Sequence, residues 1–245
     1  MRHVTVIGAG AWGTALAATA RRAGHNVKLY ARESEVVEAI NTTGENTVFL
    51  PGIKLPDGIF ATSNLEAAVY GADAVLLVVP SQFMRSVAES LNELMPDEMP
   101  VILASKGIEQ KSLKLMNEVV EEAMPNHPLA ALAGPSFAAE VAKGLPAALT
   151  LACADEDLGA HLMENLASPM FRIYLSNDVV GAEIGGAVKN VLAIACGIIE
   201  GRKFGDNARA ALITRGLAEL IRLGEAKGAE IETMIGLGGL GDLVL

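Results

Sequence analysis

Cysteine is nearly missing: Cys153 and Cys196 are the only two in 245 residues. Two thiols cannot build a disulfide framework, so a reduced, cytoplasmic setting is expected, with both side chains acting as small buried residues. Histidine is also sparse, and His3, His25, His127 and His161 are scattered. None stands at ligand spacing from another His or Cys, and no metal site is expected. Positive charge is outnumbered, 19 Lys and Arg against 29 Asp and Glu, for a net charge of −10. That excess argues against nonspecific nucleic-acid binding and against docking on anionic membranes, and an anionic ligand needs a local cluster of cations to offset it. No uncharged apolar run reaches the ~18 residues of a membrane span. The longest candidate, Gly185 to Ile199, contains Lys189 and Asn190. Arg2, His3, an apolar run and Ala18-Thr19-Ala20 superficially resemble a secretory signal, but three regularly spaced glycines make a poor apolar helix, and cleavage would remove the first strand–helix unit. No internal repeat or low-complexity segment is present.

What the chain does have is aliphatic mass. Hydrophobic residues make up 51% and aromatics only 4%, a composition suited to an α/β sheet covered by helices, in one large or two modest domains. The organising stretch is Val4 to Gly13. The β-branched run Val4 to Ile7 is a buried-strand signal. Gly8, Gly10 and Gly13 follow at G-x-G-x-x-G spacing, and an Ala-rich helix is predicted from Thr14 to Arg22. The first glycine permits a tight turn, the second lets backbone approach a pyrophosphate, and the third lets the helix pack close to its strand. With a second strand at Val27 to Tyr30, the context is that of a dinucleotide site.

Further strands are predicted at Ala74–Val79, Val101–Ala104, Leu129–Leu132, Ala148–Ala152 and Arg172–Leu175. Helices are predicted at Glu35–Asn41, Asn64–Tyr70, Gln82–Leu94, Leu113–Ala123, Ser136–Lys143 and Asp155–Ala167, and residues Asn46 to Thr62, punctuated by Pro-Gly and Pro-Asp-Gly, read as an irregular loop. This alternation predicts a Rossmann-type, doubly wound, largely parallel sheet with right-handed crossovers. Strand signals stop after Ser176-Asn177-Asp178, and the rest reads as long helices with a Gly-rich turn near Gly201 to Asp206. The expected division is residues 1–177 for dinucleotide binding and 178–245 for the start of an all-helical domain.

Ligands of open α/β sheets bind at the carboxyl ends of strands, where Arg32, Ser81, Lys106 and Ser136 fall. Arg32 occupies a place where NAD-preferring sites often carry an acid, so it favours a 2′-phosphate and NADP, with NAD also possible beside Glu33; the alternative is a solvated surface arginine. Lys106 is placed to hold a substrate oxygen or the nicotinamide end, or is a plain loop lysine. Ser136 is read as a helix N-cap that leaves backbone N–H groups for a ligand. In Gly185 to Val191 (GGAVKNV), paired glycines that each cost ~1 kcal/mol in a helix imply a close approach. Gly181, Gly185, Lys189 and Ala193 share one face. A lysine there loses solvent, which lowers its pKa toward that of a general acid–base; the alternative is a lysine that snorkels to water. Gly236 to Asp242 lacks the Lys-Ser/Thr of a P-loop and reads as a compact turn that presents Asp242.

Taken together, GAGAWGTALA (Gly8 to Ala17), Val79-Pro80-Ser81, Ser105-Lys106-Gly107, GPSFA (Gly134 to Ala138), GGAVKNV, NARAALITRG (Asn207 to Gly216) and GGLGDL (Gly238 to Leu243) resemble bacterial NAD(P)-dependent glycerol-3-phosphate dehydrogenase through essentially the whole chain. The resemblance implies reversible hydride transfer between C2 of glycerol 3-phosphate, or dihydroxyacetone phosphate, and C4 of the nicotinamide, feeding glycerophospholipid synthesis. It implies that Lys189 accepts the proton of the 2-hydroxyl and that Asn190 helps orient the site. Lys106, Gly134, Ser136 and Asp242 match substrate-contacting positions. Ala11, Trp12, Arg32, Lys106 and Ala138 match cofactor-contacting ones, beside Gly8, Gly10 and Gly13, which the glycine spacing already assigns to the cofactor. A homodimer is a further expectation. The family pattern continues past Gly-Asp-Leu with a Ser-Arg-Asn segment, whose Arg and Asn help hold the substrate phosphate, and with further helices. Leu245 precedes them, so the helical domain is expected to be incomplete, with apolar helix faces left uncovered. Two other readings remain: a catalytically silent NADP-binding protein, and a reductase of β-hydroxy acids or ketopantoate, which the Gly-Pro-Ser and Gly-Asp-Leu motifs do not suit.

Overall fold

The structure, a computed structural model, describes residues 1–244. The chain alternates from the start: β1 (His3–Ile7), α1 (Ala11–Arg22), β2 (Asn26–Tyr30), α2 (Ser34–Thr43), β3 (Ile59–Thr62), α3 (Leu65–Val69) and β4 (Ala74–Leu77). It continues through α4 (Met84–Asn92), β5 (Val101–Leu103), α5 (Met116–Ala123), β6 (Leu129–Ala133), α6 (Ala138–Lys143), β7 (Ala147–Cys153), α7 (Glu156–Leu166) and β8 (Phe171–Ser176). Then the strands cease. α8 (Val179–Gly201), α9 (Asp206–Lys227) and α10 (Ile231–Met234) follow, then a π-helical turn, Leu237–Gly241, and a last turn, α11 (Asp242–Val244).

The eight strands form one sheet in the order β3-β2-β1-β4-β5-β6-β7-β8. All neighbours run parallel except β6 and β7, which pair antiparallel. Successive side chains of a strand point to opposite faces, and the two cores follow that period. Ala74, Leu76 and Ile102 enter the core under α1, whereas Val75, Leu77, Val101 and Leu103 enter the one under α4 and α5. Each fully buried leucine among them contributes roughly 1.5–3 kcal/mol. Because both faces are covered, β4 is buried throughout, which is why it reads as a continuous apolar run. The strand order reverses between β1 and β4, and a crevice opens there at the strands' carboxyl ends.

The structure corrects three local expectations. Ile59 to Thr62 is a strand within the segment read as irregular; it lies at the sheet edge with Phe60 exposed, so only half of its pattern is apolar. Helix α5 starts at Met116, not Leu113, because Leu113 has φ 58°, a left-handed backbone that cannot continue a helix. Helix α1 begins at Ala11, so Gly13 lies inside its first turn. The Gly-rich break between α8 and α9 falls where expected.

Helix α8 is long and apolar enough by length and composition to cross a bilayer. Its first half instead packs inside the protein, with Gly181 to Gly186 buried. Beyond Lys189 it exposes Val191, Ile194 and Ile198.

Candidate functional site

The crevice has a volume of about 740 Å³ and is lined by the Gly8–Gly13 turn, Arg32 and Glu33 after β2, the Val78–Pro80 segment after β4, Ser105 and Lys106 after β5, and Ser136 and Lys189. Each glycine of the first turn has a distinct mechanical duty. Gly8 has φ 112°, and a Cβ there would lie 2.6 Å from the Val78 carbonyl oxygen. A Cβ on Gly13 would stand 1.8 Å from the Gly8 carbonyl oxygen. A Cβ on Gly10 would meet no protein atom within 4 Å, and Gly10 leaves the first backbone donors of α1 without a side-chain cap.

At the far end of the crevice, a single carboxylate joins two lysines. Asp242 Oδ2 accepts a hydrogen bond from Lys106 Nζ at 2.5 Å, and Oδ1 accepts one from Lys189 Nζ at 2.8 Å. The Asp242 side chain is 0% exposed, whereas the two lysines keep 23% and 19% of their side-chain surface in solvent. Lys106 also donates to the Gly134 carbonyl at 3.3 Å. Burial pulls the Lys106 pKa below the ordinary lysine value; Asp242 opposes this, and the nearby Lys189 adds to it. Two cations facing one anion leave a residual positive charge, the local cluster that a chain of net charge −10 needs to attract an anion.

The glycines of α8 explain how this arrangement closes. A Cβ on Gly185 would lie 1.9 Å from the Gly238 carbonyl oxygen, and one on Gly186 would lie 3.1 Å from Lys106 Cγ. The close approach expected from the paired glycines is therefore made by the chain itself. The π-helical turn rests on Gly185 and delivers Asp242 to Lys189, while the Lys106 stem lies along Gly186.

Other expected residues are distributed unevenly. Arg32 points outward, 79% exposed, and pairs with Glu33 at 3.1 Å. Trp12 and Ala11 line the crevice with the glycines. Ser136 lines it too, but it does not cap α6: Phe137 holds the N-cap position, and the Ser136 hydroxyl donates to the Gly134 carbonyl. Gly134 adopts φ 145° against Leu149, where a Cβ would lie 3.1 Å from Leu149 Cα. Ala138 opens α6 and packs against the core under α1. Asn190 is exposed and projects about 100° around the helix from Lys189. Ser81 lies against Gly107, where a Cβ would meet its Oγ at 2.5 Å.

Three contributors escaped the sequence reading. Phe49 and Phe83 line the crevice and are 41% and 55% exposed. Asn46, fully buried, donates to the Ala9 carbonyl and to Thr14 Oγ1, each at 2.8 Å, and accepts from the Phe49 N–H. It thereby pins the loop that carries Phe49 onto the glycine turn. An asparagine before a Pro-Gly loop reads as an ordinary turn residue, so this link had no sequence signal.

Comparison with known proteins agrees with the motifs. A family profile described as NAD-dependent glycerol-3-phosphate dehydrogenase N-terminus matches residues 3–159, and the corresponding C-terminus profile matches residues 178–245. A glycerol-3-phosphate dehydrogenase (NAD(P)+) of Rhodospirillum rubrum is 58% identical over 243 residues, covering 99% of this chain and 70% of the relative. One from Paramagnetospirillum magneticum is 58% identical over 245 residues, covering 100% of this chain and 89% of the relative. Among solved structures, the glycerol-3-phosphate dehydrogenase of Coxiella burnetii superposes with a TM-score of 0.95 at 41% identity, over 100% of this chain and 75% of that one. A ketopantoate reductase from Ralstonia eutropha, 20% identical with a TM-score of 0.60, shares the fold alone.

Proposed function

The chain belongs to the NAD-dependent glycerol-3-phosphate dehydrogenase family, and from that premise we propose that it interconverts glycerol 3-phosphate and dihydroxyacetone phosphate in the cytoplasm, for glycerophospholipid synthesis, with NADP as the preferred nucleotide. Residues 1–177 serve as the dinucleotide-binding part and residues 178–245 as the substrate-domain part. The observation that carries this reading is the Lys106–Asp242–Lys189 bridge at the end of the glycine-turn crevice.

Several features favour the nucleotide assignment. The open space before Gly10 and the uncapped donors of α1 suit a pyrophosphate. Arg32, exposed at the end of β2, suits a 2′-phosphate, with Glu33 competing for it. A bound nicotinamide nucleotide supplies the hydride, or takes it up.

The chain's own residues handle the proton. In the reducing direction Lys189, as an ammonium paired with Asp242, gives a proton to the ketone oxygen as C2 receives the hydride, and the alcohol forms. In the oxidising direction the neutral amine takes the hydroxyl proton. Asp242 holds the Lys189 head in place and balances the charge that appears there. Lys106 and the Gly134–Ser136 turn hold the substrate, and Lys106 adds a cation for an anionic group. Asn190 orients the site from the same helix, and Ala11, Trp12 and Ala138 contact the nucleotide. The free Cys153 and Cys196 suit a reducing compartment.

The test follows NADPH absorbance with dihydroxyacetone phosphate as the oxidant. Ketone-dependent oxidation supports the assignment. Tight NADPH binding with no turnover supports a nucleotide-binding role instead.

A further inference from the structure

Glu183 is an acid in the wrong place for an ordinary surface residue. It lies on α8 six residues before Lys189, is 7% exposed, and faces α5 of the sheet domain. Its Oε2 accepts the Asn117 backbone N–H at 3.0 Å, whereas its Oε1 is buried without a partner among the described residues. Helix α5 has Leu115 at its N-cap. A leucine side chain cannot accept the first-turn donors, so a carboxylate from another helix does so. Burial pushes the Glu183 carboxyl up to about 7, while the Asn117 and Met116 N–H groups hold it down and Glu118 and Glu121 of α5 raise it further. An isolated buried acid is costly, and nothing in the proton chemistry above uses it.

Its position explains its presence. Helix α5 is anchored to the sheet through Met116, Val119 and Val120, all fully buried. Ile184, next to Glu183, packs with Leu115 in a separate cluster. Among the described residues, two other long-range polar side-chain links join the sheet domain to the helical region, besides the local contact of the Asp178 N–H with Ser176 Oγ at the boundary. One is Lys106–Asp242, part of the site itself. The other is Lys227–Glu118 at 3.2 Å, with side chains 38% and 36% exposed, a surface pair that solvent screens. Glu183 is therefore the buried polar tie outside the site. From there to Lys189 the helix is continuous, about 9 Å along its axis, so a shift at one is carried to the other.

We propose that Glu183 is a positioning residue: by capping α5 from α8, it fixes the height of Lys189 relative to the nucleotide crevice. The inference rests on the proposed role of Lys189 for its meaning, but its geometry can be tested without turnover. The experiment measures the rate of reductive methylation of Lys189 by peptide mass spectrometry in the full chain, with Glu183→Gln, Glu183→Asp and Glu183→Ala beside the wild type. Glutamine keeps the reach and an acceptor without charge, whereas aspartate keeps the charge and falls one methylene short. The expected result is a wild-type rate for Gln and a several-fold faster rate for Asp, with Ala at least as fast if it folds. Hydrogen exchange at Asn117 should speed up in the same variants. Faster exchange at Asn117 with an unchanged Lys189 rate in Asp would reduce Glu183 to a local cap and overturn the proposal, as would a Gln variant that labels as fast as Asp. NADPH titration of the wild type separates the two readings: failure to bind would sink the assigned reaction and leave the labelling result standing.

Discussion

Lys189 donates to Asp242 across 2.8 Å, and the carboxylate it meets has no solvent-exposed surface. The other oxygen of that carboxylate serves Lys106. Asp242 therefore bridges two ammonium groups that would otherwise repel each other in a partly desolvated site. Replacing it with asparagine is expected to cost about 3 kcal/mol of stability, the usual penalty for stranding a buried ion-pair partner, and to lower the pKa of Lys106 further, since Asp242 opposes the effect of burial there. Urea unfolding measures the first effect, and the pH dependence of lysine methylation measures the second.

The Gly185 contact yields a sharper steric test. A methyl group there collides with the Gly238 carbonyl at 1.9 Å, backbone against backbone, whereas a Cβ on Gly197 of the same helix meets nothing within 4 Å. Gly185→Ala should displace the π-helical turn, separate Asp242 from Lys189 and destabilise the protein. Gly197→Ala should stabilise it by up to about 1 kcal/mol, the helix-propensity difference alone. Thermal unfolding of both variants settles the comparison, and equal shifts in Tm would contradict the packing described.

Much of this was legible in the sequence because a local physical cause left a local pattern. Gly8, Gly10 and Gly13 need their spacing to turn, open and pack, and the apolar run at β4 reports a strand buried on both faces. Gly185 and Gly186 announced a close approach, but sequence could not say that the partner was the chain's own Gly238 and Lys106. The edge strand Ile59–Thr62 lacked a full pattern because solvent covers one side of it. Ser136 reads as a cap but Phe137 holds that position, since a one-residue shift in helix start is invisible to propensity. Asn46 and Glu183 act through partners distant in sequence, Ala9 and Thr14 for one and Asn117 for the other, and no periodicity records such contacts.

Nucleotide choice should turn on the end of β2. Arg32 is exposed and, among the described residues, engaged by Glu33 alone, so Arg32→Ala should weaken NADPH binding roughly tenfold, as expected for losing one charge-assisted contact of about 1.4 kcal/mol. NADH binding should change little. Fluorescence titration with both nucleotides reads the ratio, and an equal loss for both would remove Arg32 from 2′-phosphate recognition.

The Glu183 carboxyl sets a pH window for stability. Its pKa is raised from 4.5 to about 7 by burial, so the folded state favours the protonated form. The stabilising contribution is complete below the unfolded value and is lost as pH rises through about 7. The groups around it from α5 are Glu118 and Glu121, and Glu118 is paired with Lys227 of α9. Urea midpoints measured from about pH 5 to about pH 8 should fall more for the wild type than for Glu183→Gln, whose side chain does not ionise. Parallel curves would show that Glu183 does not titrate in this window.

Lys189 is proposed to move the proton while a bound nucleotide would carry the hydride. The most direct test is NADPH oxidation by dihydroxyacetone phosphate in the wild type and in Lys189→Ala, with NADPH affinity measured on the same samples. Turnover of the variant should be lower by several orders of magnitude, with nucleotide binding nearly unchanged. A drop of only a few-fold, with binding intact, would contradict this role.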